Sequence, residues 1–131
     1  MAQLTDDQRQ FLENPYLAVV TTIRQDGSPH NTVVWIDVDD GIPSFNTAEG
    51  RAKPKHLEQN PWAAVTVLDP QDPYKWLAVD GRADVTTDDA DDQIDRLSEK
   101  YTGNPEYQNR VEGEQRLKVR IHPEHVTAVG F

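Results

Sequence analysis

Tyr16 to Asn46 reads YLAVVTTIRQDGSPHNTVVWIDVDDGIPSFN, and this stretch decides the fold. Tyr16 to Ile23 is rich in β-branched residues, which pack well on a pleated surface, and it ends at the turn signal Gln25-Asp26-Gly27-Ser28-Pro29. Asn31 to Val38 predicts a second strand, Asp39-Asp40-Gly41 the next turn, and Ile42 to Asn46 a third strand. The connections are far too short for parallel crossovers, so these strands are expected to form an antiparallel meander.

Outward from the meander, Thr5-Asp6-Asp7 followed by Gln8 to Leu12 predicts a capped helix stopped near Asn14-Pro15. On the other side, Arg51 to Gln59 predicts a short helix. Pro54 is tolerated only in a first turn, which places the start near Lys53. Trp62 to Leu68 and Trp76 to Val85 are expected strands, with Asp69-Pro70-Gln71-Asp72-Pro73 between them. Asp88 to Tyr101 is an expected helix whose Ile94, Leu97 and Tyr101 make an i, i+3, i+7 stripe for burial. Thr102-Gly103-Asn104-Pro105 ends it, and Glu106 to Glu114 is irregular and polar. Gln115 to Ile121 supplies a last strand, with Val126 to Phe131 extending the same sheet. The chain thus reads as one mainly β (α+β) domain over 1–131. It has about six antiparallel strands with peripheral helices, coiled into a small barrel that limits exposed edges.

The net charge of −10 opposes non-specific association with nucleic acid, whose phosphates it would repel. No apolar run approaches membrane-spanning length, and the first residues lack the basic and apolar regions of a signal peptide. Cysteine is absent, which excludes disulfides and thiolate chemistry. A soluble cytoplasmic protein without membrane or nucleic-acid partners is therefore expected. The acidic runs Asp69 to Asp72 and Asp84 to Asp95 read as solvated surface. Asp88, Asp89, Asp91 and Asp92 lack the glycine-bearing spacing of a calcium loop, and no residue cluster has convincing metal-ligand or hydrolytic-triad spacing.

Against that acidity, Arg51, Lys53 and Lys55 place three of the thirteen Lys/Arg residues within five positions. They follow a strand and open a helix, where side-chain charge, free N–H groups and the helix dipole all favour an anion, a phosphate above all. The same cluster also fits an ordinary solvated helix face.

The ordered set Leu17-Ala18-Val19-Val20-Thr21-Thr22, Asp26-Gly27-Ser28-Pro29-His30, Val34-Trp35 and Asn46-Thr47-Ala48-Glu49-Gly50-Arg51-Ala52-Lys53 carries a family resemblance. Asn60-Pro61, Asp72-Pro73-Tyr74-Lys75-Trp76, Gly81-Arg82-Ala83 and Lys100-Tyr101-Thr102-Gly103 continue it. Together they resemble the pyridoxamine-5'-phosphate-oxidase-like split β-barrel family, and within it the branch that binds the deazaflavin coenzyme F420. The resemblance implies a six-stranded split barrel that forms a homodimer with cofactor sites at the subunit interface. It implies hydride transfer between F420 and a small unsaturated organic substrate.

By the same resemblance, Arg51 and Lys53 would grip the cofactor phosphate, with neutral hydrogen bonds from Asn46 and Thr47. Thr32, Val33 and Val34 would lie against the ring, and Trp76 would reach it from across the dimer. His30 would face the cofactor region, with His56 flanking the site. No catalytic side chain is nominated, which suits chemistry whose reactive centre belongs to the cofactor. FMN is the alternative cofactor. Glu49, where many relatives carry a basic or neutral residue, keeps it open. A non-catalytic F420- or flavin-binding protein on the same fold is the alternative to an enzyme.

Overall fold

The computed structural model describes residues 2–131. In chain order it contains α1 (Asp6–Glu13), β1 (Ala18–Ile23), β2 (Pro29–Val34), β3 (Asp37–Asp39), β4 (Ile42–Ala48), α2 (Ala52–Gln59), β5 (Trp62–Asp69), β6 (Asp72–Thr86), α3 (Ala90–Thr102) and β7 (Arg116–Val129). All strand pairs are antiparallel in one seven-stranded sheet of order β2-β1-β5-β6-β7-β4-β3. The sheet is not closed: β2 and β3 are its two edges, as in a split barrel.

Alternation sets which face is buried. On β1, Ala18, Val20 and Thr22 point inward while Val19 is exposed, and on β5 the inward residues are Ala63, Val65 and Val67. Val20 pairs with Val65, and Val65 with Val79, so one apolar row crosses three strands. Phe45, Val119 and Ile121 close the core from the other half of the sheet. Outside it, α1 starts with a capping box in which Thr5 accepts from the Gln8 N–H and Gln8 accepts from the Thr5 N–H. The α3 stripe is as expected, with Ile94 and Leu97 buried.

The expected meander is corrected. Asn31 to Val38 is not one strand: it breaks at Trp35-Ile36 into β2 and β3, which lie at opposite edges of the sheet. Ile36 is fully buried, and its backbone groups find side chains of α3 in place of a ladder. The Tyr101 hydroxyl accepts from the Ile36 N–H (3.1 Å) and donates to the Tyr16 carbonyl (2.5 Å). Lys100 Nζ donates to the Ile36 and Leu12 carbonyls, both at 2.6 Å. Burial pushes the Tyr101 phenol up to about 12, so it remains a donor at neutral pH. These bonds stitch the seam between the two edges and satisfy backbone groups that would otherwise be orphaned.

The C-terminal strand also differs from expectation. β7 is a single strand through Ile121-His122-Pro123-Glu124-His125, carried by a bulge opposite Asp80 and Gly81. A proline is tolerated at such a point because ladder bonding is already interrupted. Gly81 permits the close approach: a Cβ there would lie 1.8 Å from the His122 carbonyl oxygen.

Candidate functional site

β4 ends at Ala48, and the chain turns through Glu49-Gly50, with Gly50 in the left-handed region at φ +90°. Arg51 is the N-cap of α2 and Lys53 lies in its first turn, so the turn delivers both side chains to one place. There they border a cavity of about 300 Å³. Leu17 and the β2 edge (Val33, Val34) line it, continuing into Trp35. Asn46 and Thr47 contribute from β4, Ile94 and Leu97 from α3, and Tyr107, Asn109 and Arg116 from the segment leading into β7.

One end of the cavity is cationic. Arg116 is only 3% exposed; its Nε donates to Asn46 Oδ1 and its Nη1 to Glu114 Oε1, each at 2.8 Å. Arg51 reaches the same carboxylate at 3.3 Å. A hydrogen bond from Arg116, and then the two positive charges, hold the Glu114 carboxyl below its usual range. Lys53 is different. Among the described residues it makes no ion pair, and burial followed by repulsion from Arg51 lowers its pKa. Arg51, Lys53 and Arg116 therefore converge against the single carboxylate of Glu114, leaving an excess of positive charge in an acidic protein.

Aromatic rings adjoin these cations. Trp35 stacks on Tyr101 at 5.5 Å between centroids with an interplanar angle of 8°, while Tyr107 meets Trp35 edge-on at 6.1 Å. The Arg116 guanidinium lies over the Tyr107 ring at 5.4 Å. The irregular segment carrying Tyr107 is tied to α3: the Tyr107 N–H donates to Asp95, and Arg110 pairs with Asp91 and Asp95. It is a held wall, which its polar sequence did not disclose.

Of the residues singled out from sequence, the fold brings Val33, Asn46, Thr47, Arg51 and Lys53 to this cavity. Asn46 is already committed, since its amide donates to the Ala90 carbonyl and to Gln93 Oε1 while its oxygen takes Arg116. Its evident effect is to aim Arg116. His30, Thr32 and His56 are not among the lining residues. They share the inward face beside it, where His30 and His56 meet edge to face at 5.0 Å. His30 Nδ1 and Thr32 Oγ1 are buried without a hydrogen-bond partner among the described residues. Trp76 lies on the outer sheet face, paired between Leu68 and Val129, away from the cavity of its own chain. Glu49 lines a separate groove with Pro54, Leu57 and Leu117. Lys55 is exposed and lines that groove as well.

Arg116, Tyr107, Asn109 and Trp35 were not among the expected contacts. The available signal was the alternation Arg116, Lys118, Arg120 in the last strand, three cations facing away from Leu117, Val119 and Ile121 in a strongly acidic chain. Instead of water, α3 covers much of that face, and Lys118 is buried between Asp39 (3.1 Å) and Asp89 (2.9 Å). The acidic run is accordingly more than a solvated surface. Asp89 also binds Arg96 at 2.7 Å, and Arg96 binds Asp37 at 3.2 Å, giving a network whose charges answer one another. His122 and His125 likewise bond Asp84 and Asp80, as ordinary surface histidines do.

A family model described as Pyridoxamine 5'-phosphate oxidase matches residues 4–130. An F420H(2)-dependent biliverdin reductase of Mycobacterium tuberculosis is 34% identical over 88 residues; the match spans 66% of this chain and 62% of that protein. Among solved structures, an F420 reductase superposes with a TM-score of 0.82 at 25% identity, covering 95% of this chain and 98% of the other. HutZ, a heme storage protein of Vibrio cholerae, superposes at 0.68 with 17% identity, over 99% and 97% of the two chains, a likeness of fold alone. Among the described residues no helix is long and apolar enough to cross a membrane.

Proposed function

This chain belongs to the pyridoxamine 5'-phosphate oxidase family, and from that membership we propose that it is a coenzyme F420-dependent oxidoreductase acting on a small unsaturated organic substrate. The observation that carries the reading is Lys53: a partly buried ammonium without a counter-ion among the described residues, beside Arg51 and Arg116, at the mouth of a cavity with an aromatic wall. Such a cation is uncomfortable until an anion arrives, and a phosphate suits it.

The residues fit a cofactor of this kind. Arg51 and Lys53 would hold its phosphate, Asn46 would keep Arg116 aimed at the same charge, and Thr47 would border it. Val33, Trp35 and Tyr107 would flank the flat ring and keep water from it. Bound there, the deazaflavin supplies the hydride chemistry, and the protein binds, orients and shields. The names of two relatives, a biliverdin reductase and an F420 reductase, favour F420 over FMN. Glu49 borders a different groove, and FMN remains the alternative cofactor.

A second copy of this chain is the proposed partner. Leu17 (59% exposed), Val33 (64%) and Leu68 (48%) leave an apolar outer sheet face that also bears Trp76, continuous with the cavity through Leu17 and Val33. A homodimer covering this face would complete each site with Trp76 of the other subunit.

Absorbance titration tests the cofactor. Tight F420 binding with weak FMN binding is expected, and the reverse order would replace F420 with FMN. Oxidation of F420H2 against a panel of tetrapyrroles, activated alkenes and imines tests catalysis. Tight binding without turnover across that panel would favour a cofactor-binding protein.

A further inference from the structure

His30 projects from β2 and His56 from α2, and nothing in the proposed hydride transfer uses them. Their rings meet edge to face at 5.0 Å, and His56 Nδ1 lies 2.8 Å from the fully buried Thr22 Oγ1. A hydroxyl can donate to a neutral imidazole or accept from a protonated one, so Thr22 suits either charge state of His56. Across β1 and β2, Thr22 pairs directly with His30. Among the described residues His30 Nδ1 is buried and unpartnered, as is Thr32 Oγ1 two residues along the same face. A proton on that nitrogen has no hydrogen-bond acceptor among the described residues.

We propose that His30 and His56 form one proton-binding unit that extends the anion site beyond Lys53, so that seating an anion on Lys53 draws a proton onto the pair. The charged groups acting on His30 are His56 and Lys53, three positions apart on α2, and Arg24 in the turn after β1, while Thr22 on β1 lies opposite it. All the charged ones are cationic. Burial first, then His56, Arg24 and Lys53, lower the His30 pKa in the free protein. An anion beside Lys53 offsets the repulsion from Lys53 and Arg24. Rings this close repel when both are charged, so an anion that lowers the local positive potential favours the protonated form. With the bound form holding more protons than the free form, affinity is greatest below the pair's free pKa. It falls as pH rises through the bound one. A rise of about half a unit changes the affinity about threefold across that span.

The inference rests on the proposed function only in naming a cofactor phosphate as the natural anion. Sulfate, whose charge is constant across this range, tests the pair by itself. Imidazole nitrogen spectra of the unmodified protein would be followed from about pH 5 to about pH 8, with and without saturating sulfate. The expected result is a rise of the pair's apparent pKa by about half a unit or more, abolished by Lys53→Met. An unchanged titration overturns the proposal, as does a rise that persists in Lys53→Met. Calorimetry of F420 binding in two buffers of different ionisation enthalpy supplies the second arm. Uptake of a fraction of a proton, about 0.3 for a half-unit rise, is expected between the free and bound pKa and lost in the His30→Gln/His56→Gln variant. Binding with no uptake overturns the coupling. If neither F420 nor FMN binds while sulfate still shifts the pair, the cofactor assignment fails and this inference stands.

Discussion

Replacing Lys53 with methionine separates a ligand-binding cation from a structural one. Methionine retains much of the apolar stem and removes only the charge. In the free protein that charge has no counter-ion among the described residues; it is partly buried and repelled by Arg51. Removing it therefore costs no native contact and relieves an unfavourable term, so thermal stability should stay level or rise by a degree or two, about 0.5 kcal/mol at most after solvent screening. With the cofactor bound, the same ammonium makes a charge-assisted contact worth about 2 kcal/mol, so Kd should weaken about thirtyfold. The assay pairs differential scanning fluorimetry of the free protein with fluorescence titration of F420. Opposite signs, stability held and affinity lost, identify an anchor. A Kd within about twofold of the unsubstituted protein would refute the reasoning, and so would a drop in stability parallel to the drop in affinity.

The double change Arg51→Ala/Lys53→Ala should cost on the order of 3 kcal/mol or more in cofactor affinity, about a hundredfold, read by the same titration. Arg116→Ala should act on the fold as well, because it strands Asn46 Oδ1 and the Glu114 carboxylate. A loss of about 3 kcal/mol in urea unfolding is expected, and a loss under about 1 kcal/mol would mean the cluster relaxes freely. Tyr101→Phe removes both seam bonds, so the Ile36 amide should exchange markedly faster while β5 and β6 amides keep their protection. For pH, Asp89 is held far below the usual carboxylate range, chiefly by the hydrogen bond from Arg96 and then by Lys118. The unfolded chain protonates Asp89 before the folded one does, so its stabilisation is full above the unfolded pKa and fades as pH falls through the folded one. Asp89→Asn should therefore be less stable than the unsubstituted protein at neutral pH, with the gap in urea midpoints closing in strong acid; a gap independent of pH would contradict this.

Much of the fold was legible locally. The alternation in Ala18 to Ile23 and Trp62 to Asp69, the Thr5–Gln8 box and the Ile94–Leu97 stripe are short-range patterns, and the structure keeps each. So is the charge cluster around Arg51 and Lys53, because adjacent positions on a strand-to-helix turn share one location whatever else the chain does. The break at Trp35-Ile36 left only a faint trace, four successive apolar residues from Val33 to Ile36 where alternation lapses.

Sequence by itself therefore determined the strand content, the helices and a cationic anchor in an acidic chain. Tertiary structure alone decided that β2 and β3 become opposite edges, that Tyr101 and Lys100 bridge them, and that Arg116 joins the anchor from seventy residues beyond Asn46. It also decided that His30 and His56 touch. The reason is physical: alternation and capping depend on neighbours a few bonds away. A seam, a buried arginine and an imidazole pair depend on which distant segments share one interior, and that is settled only when the whole sheet curls.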